Sequence, residues 1–198
     1  MKAIIDTNSL ITLFRYYEHI TGFEDLKDFL TEQITQANVI VIDKVYEELH
    51  KYQGKGNVLD KLKITRKHTY PTEQLLTHLM KKEQEWYLRE NETTNRYANN
   101  PQRIEADKRL FLDTHADLYL VALCTYIAKT HEVLLITEET LTERHNNKLY
   151  PKIPTLCKQE NIKYGNITQL LFEMYKQEIT ITAHIHAQPS TVQETITS

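Results

Sequence analysis

Glycine is scarce in this chain: Gly22, Gly54, Gly56 and Gly165 are the only four among 198 residues. None of them builds G-x-G-x-x-G or G-x-x-x-x-G-K-[ST], which argues against a glycine-rich phosphate loop. Cysteine is scarcer still. Cys124 and Cys157 both sit in apolar, helix-spaced surroundings, so reduced core residues are expected rather than a disulfide framework. No apolar run nears the ~20 residues of a membrane span. The N-terminus is short in apolar residues and turns acidic at Asp6, unlike a signal peptide. A cytoplasmic protein with no membrane partner is expected. H-E-x-x-H, C-x-x-C, G-x-S-x-G and kinase-type patterns are missing as well, and the nine histidines are scattered.

What the chain does have is an uneven charge. The net charge of -3 divides into a basic middle, residues 51–109, with 13 Lys and Arg against 8 Asp and Glu, and an acidic remainder. A basic stretch beside carboxylates suits a polyanion partner. Mixed charge on solvated helices gives the same count.

The first thirteen residues set the pattern. Ala3-Ile4-Ile5 is an apolar run, Asp6-Thr7-Asn8-Ser9 is polar, and Leu10, Ile11, Leu13 and Phe14 return at helical spacing. A short apolar run before a helix reads as a buried parallel strand. The polar quartet then falls at the strand's carboxyl end, where open α/β sheets place their sites. Asp and Ser are also favoured helix caps.

The unit recurs. Val39-Ile40-Val41-Ile42 precedes Asp43 and a helix carrying Glu47 and Glu48. Acids in a first turn are favoured by the helix dipole alone. Glu48, next to the apolar Leu49, is expected to be the inward one. Val133-Leu134-Leu135-Ile136 precedes Thr137, Glu138 and Glu139. Helices are expected at 9–18, 23–36, 116–129 and 169–177, a Pro154-initiated helix through residue 160, and an edge strand at 162–164. Thr114 with Asp117 has the spacing of a capping box, and Asp113 lies just before it.

Residues 57–109 read as a helical insertion over the sheet edge, with Thr72 capping a helix at 73–90. Lys61, Lys63, Arg66 and Lys67 are its candidate nucleic-acid contacts. Tyr70, Trp86, Tyr87, Arg89 and Tyr97 suit base stacking, or the insertion's own small core. Residues 179–187 alternate as a strand does, offering an edge for a homodimer, and the polar tail after them is expected to be disordered. One domain at 1–178 and a C-terminal extension at 179–198 are therefore expected.

If the sheet is parallel, Asp6, Glu47 or Glu48, Asp117 and Glu138 or Glu139 meet on one side. Ionised carboxylates in a cluster repel unless a cation neutralises them. Oxygen ligands without Cys or His point to Mg²⁺ or Mn²⁺, a setting for phosphoryl displacement.

The segments IIDTNSLI, VIDKVYEEL, ADLYLVALC and LLITEE occur in the order seen in PIN-domain ribonucleases, and the chain resembles bacterial PIN-like proteins, some of them toxin-related. The resemblance covers about residues 2–49 and 113–174. It implies a three-layer α/β/α fold with a mainly parallel sheet, and a Mg²⁺- or Mn²⁺-dependent endoribonuclease acting on RNA. Asp6, Glu48, Asp117 and Glu139 match the metal-binding acids, with Asn8 and Thr137 supporting. Glu139 stands where the family usually has Asp, which leaves Glu138 and Asp113, with Glu47, as alternates. An antitoxin partner is implied if the chain is a toxin. A catalytically weak PIN-like module that binds RNA or protein is the alternative.

Overall fold

The runs Ala3–Ile5, Val39–Ile42 and Val133–Ile136 are apolar at every position, so as strands they must be covered on both faces. The computed structural model, which describes residues 1–53, 58–91, 101–141 and 150–175, meets that demand with a five-stranded parallel sheet between two helical layers. Its strands are β1 (Lys2–Ile5), β2 (Val39–Ile42), β3 (Thr69–Tyr70), β4 (Val133–Ile136) and β5 (Lys163–Gly165), in the spatial order β3-β2-β1-β4-β5. Ala3 pairs with Val39 on one side and Leu134 on the other, so β1 is central. Ala3, Ile4, Ile5, Leu135 and Ile136 are fully buried. Each buried Ile or Leu contributes roughly 1.5–3 kcal/mol.

The helices are α1 (Thr7–Tyr17), α2 (Phe23–Thr35), α3 (Asp43–Gln53), α4 (Val58–Lys61), α5 (Leu76–Asn91), α6 (Pro101–Thr114), α7 (Asp117–Ile127), α8 (Ile153–Gln159) and α9 (Ile167–Tyr175). Packing sorts them into layers. On one face α1 meets α3, α4 and α9; on the other α7 meets α5 and α8. Right-handed crossovers require this split, because the chain moves outward from β1 in one direction and from β4 in the other.

Cys124 and Cys157 are buried free thiols. Burial pushes the Cys157 thiol up to about 12. Among the described residues no single helix is long and apolar enough to cross a membrane.

Several local expectations need correction. The region at 57–109 is not purely helical, since Thr69–Tyr70 adds β3 to the sheet edge beside β2. Thr72 does not cap a helix: it lies inside a short 3-10 turn, Thr72–Leu75, and its N–H donates to Asp43 Oδ2 at 3.0 Å. The capping box at Thr114 is not formed either. Thr114 ends α6, and its hydroxyl donates back to the Leu110 carbonyl at 2.6 Å. Ala116 occupies the cap position of α7 instead. The described residues after β4, 137–141, form no helix. Trp86 belongs to the core, fully buried with its Nε1 donating to Glu160 Oε1 at 2.9 Å, so it is closed to base stacking. Tyr70 is half-buried, while the side chains of Tyr87, Arg89 and Tyr97 lie outside the described residues, as does the segment 179–198.

Candidate functional site

The strand order reverses between β1 and β4: β2 and β3 lie to one side of β1, β4 and β5 to the other. Open α/β sheets form their crevice at this point, outside the carboxyl ends of the strands. Asp6 stands at the end of β1 and Thr137 at the end of β4. The Asp6 N–H donates to the Ile136 carbonyl at 2.9 Å, which ties the two ends together.

Asp6 occupies the cap position of α1, yet among the described residues its side chain makes no capping bond. It is 4 % exposed. Thr137 Oγ1 donates to Asp6 Oδ2 at 3.3 Å, and the same oxygen accepts the Glu139 N–H at 3.2 Å. The Thr137 hydroxyl hydrogen is thereby directed at Asp6. Burial pushes the Asp6 carboxyl up to about 8; Asp117 and Glu48 add to this, the Thr7 N–H opposes it, and Glu139 adds the smallest rise. The other three acids expected at the site therefore all raise the carboxyl of Asp6.

Glu48 points inward from α3, as expected. Its Oε1 accepts the Ala116 N–H at 3.0 Å and its Oε2 accepts the Thr7 hydroxyl. Asp117 is half-buried in the first turn of α7. Glu139 Oε2 accepts the Ile153 N–H at 3.1 Å, at the start of α8. Glu138 turns away and accepts the Ile167 N–H at 2.9 Å, at the start of α9. Glu47 pairs with Arg66 at 3.3 Å on the outside of α3. Asp113 is exposed, and its carboxylate is felt by Tyr119, whose hydroxyl is raised by burial first and then by Asp113 and Asp43. Asn8 is exposed; Thr7, beside it, makes the contact to Glu48.

Among the described residues no three His, Cys, Asp or Glu side chains are gathered tightly enough, as they stand, to hold a metal ion. Two of the four acids are turned toward helix N-termini, which attract carboxylates through their unpaired N–H groups.

Of the basic set, Lys61 pairs with Glu18 and lies 5.3 Å from the Phe14 ring centroid. Arg66 is held by Glu47. Lys63 and Lys67 are exposed.

Sequence reasoning overlooked Thr7, Lys44 and Gly165. Lys44 Nζ donates to the Asp113 carbonyl at 2.9 Å. The Gly165 carbonyl accepts the Thr137 N–H at 2.8 Å. The signal for Thr7 and Lys44 was present, since each directly follows a strand-ending acid. Gly165 gave no signal beyond its rarity.

A buried aspartate at the switch point of a parallel sheet, its carboxyl raised by burial and by three further acids, defines an α/β protein with an acidic candidate site. The chain belongs to the family described as "Domain of unknown function (DUF4411)", which matches residues 4–178. That span holds every acid named above and the whole of 57–109. No curated protein and no solved structure matches the chain.

Proposed function

We propose that this protein is a Mg²⁺- or Mn²⁺-dependent endoribonuclease. The observation that carries the reading is Asp6: a buried carboxyl, pushed up to about 8 by burial and by Asp117, Glu48 and Glu139. Perturbed titration in a crevice marks a candidate functional group. A divalent cation would offset both the burial and the repulsion from Asp117, Glu48 and Glu139 that together raise the Asp6 carboxyl.

The donor chemistry fits such a cation, since every group at the site is a hard oxygen. Asp6, Glu48 and Asp117 would hold it, with Glu139 assisting; bound there it would activate water and stabilise the charge of a displaced phosphodiester. The chain's own residues do the rest. Thr137 fixes the carboxylate plane of Asp6, and Thr7 and the Ala116 N–H fix that of Glu48. Lys63 and Lys67, with the ion-paired Lys61 and Arg66, supply cations for an RNA backbone. In the toxin version of this reading the partners are RNA, an antitoxin and a second copy of the chain.

The test is cleavage of single-stranded RNA across Mg²⁺ and Mn²⁺ titrations, wild type against Asp6→Asn. Metal-dependent cutting that Asp6→Asn abolishes upholds the reading. Cutting that survives the substitution overturns it.

A second reading has its own support. Glu48 and Glu139 already serve helix N-termini, and no three acids are gathered as they stand among the described residues. That favours a PIN-like module that binds RNA or protein without cutting. RNA retention unaffected by Mn²⁺ or chelator, with no cleavage, would select it.

A further inference from the structure

The helices α6 and α7 meet at a sharp corner: Glu105–Thr114 and Asp117–Ile127 are bent by 71°. Asp117 is the first residue past that corner. Its distance from Asp6 therefore depends on how the corner is held. Two consecutive turns of α3 hold it. Lys44 and Glu48 are four residues apart and share one helix face. Glu48 accepts the Ala116 N–H at the start of α7, and Lys44 donates to the Asp113 carbonyl in the last turn of α6.

The polarities match the helix ends. The last carbonyls of a helix lack intrahelical partners and carry the negative end of the dipole, which favours a cation. The first N–H groups favour an anion. Lys44 is further fixed by packing, since its Nζ lies 5.4 Å from the Tyr119 ring centroid, and Tyr119 is 5 % exposed.

We propose that Lys44 is a positioning residue: with Glu48 it clamps the α6–α7 corner and so sets where Asp117 stands relative to Asp6. Lys44 acts through the Asp113 backbone and touches no reacting atom. The role of Asp117 as a cation ligand rests on the proposed nuclease reading; the clamp itself does not.

The test uses the full chain with Lys44→Met, which keeps the apolar stem over Tyr119 and removes the donor, and Lys44→Arg, which restores a donor. Three readouts are taken. Calorimetric Mn²⁺ binding should weaken by about tenfold to hundredfold in Lys44→Met, the range for groups that orient ligands, and recover in Lys44→Arg. In cleavage, kcat should fall while KM for RNA holds. Amide hydrogen exchange at residues 115–117 should quicken in Lys44→Met and return to the wild-type rate in Lys44→Arg. Unchanged Mn²⁺ affinity together with unchanged exchange overturns the clamp and leaves the nuclease reading standing. If wild type takes up no Mn²⁺, the nuclease reading fails and exchange alone decides: quickening reversed by Arg upholds the clamp, and no change overturns it.

Discussion

Asp6 carries its ordinary carboxyl value of 3.8 when unfolded and about 8 when folded. Between those values the folded chain holds a proton that the unfolded chain has lost. Stability therefore falls as pH rises through that window. Asp6→Asn removes the penalty. It should stabilise the protein at pH 8 by up to roughly 5 kcal/mol relative to its effect near pH 4, because each tenfold change in proton affinity is worth about 1.4 kcal/mol. Urea unfolding at the two pH values checks this; an equal effect at both would contradict it. A millimolar divalent cation should stabilise wild type at pH 8 and leave Asp6→Asn unmoved. At this scale the sequence pointed well to Asp6 and Glu48, because an acid directly after a short apolar run, or beside a core leucine, has one place to go. It pointed poorly to Thr7. The helix α1 begins at Thr7 rather than Ser9, and each residue turns about 100° round the axis, so Thr7 faces Glu48 and Asn8 faces solvent.

The elements show why some acids are decoys. Glu138 and Glu139 are adjacent, yet each serves a different helix, α9 and α8. Glu138→Ala should cost about 1 kcal/mol through the lost N-terminal acceptor of α9 and leave cleavage intact, whereas Glu139→Ala should impair both. Denaturant midpoints and cleavage rates, measured together, separate the two; equal loss of cleavage would contradict the division. Trp86 is the single tryptophan, buried against Glu160 at the end of α8. Its emission should be blue, resist acrylamide and stay unchanged on adding single-stranded RNA, and quenching by RNA would contradict its place in the core. Trp86→Ala should destabilise by about 3–5 kcal/mol. The strands β1, β2 and β4 were legible because buried parallel strands are continuous apolar runs. β3 was not, since two residues before Pro71 carry no period. The corner at Thr114 was misread for a physical reason: a capping threonine must leave the helix, whereas Thr114 is still inside α6 and bonds backward to Leu110.

On the scale of the whole molecule, the match over residues 4–178 spans the basic middle, so the segment 57–109 lies inside the matched stretch. Its exposed Lys63 and Lys67 should contribute to RNA affinity in a salt-dependent way, and alanine at both should flatten the slope of log K against log salt by about one to two units. An unchanged slope would place the RNA path elsewhere. Fold class was readable because strand and helix periods alternate along the chain; that Glu48, Asp117 and Glu139 come near enough to act on Asp6 was readable because a parallel sheet sends all strand ends to one side. Which way Glu138 and Glu139 each turn was not readable, for it depends on which helix N-terminus lies within reach.

The most direct measurement is cleavage of mixed single-stranded RNA by wild type and Asp6→Asn, each titrated with Mn²⁺ and then stripped by chelator. The expected result is cutting that rises with Mn²⁺, stops with chelator and is lost in Asp6→Asn while RNA binding persists. Cutting that continues in folded Asp6→Asn, or a folded wild type that retains RNA and never cuts it at any Mn²⁺ concentration, would contradict the account.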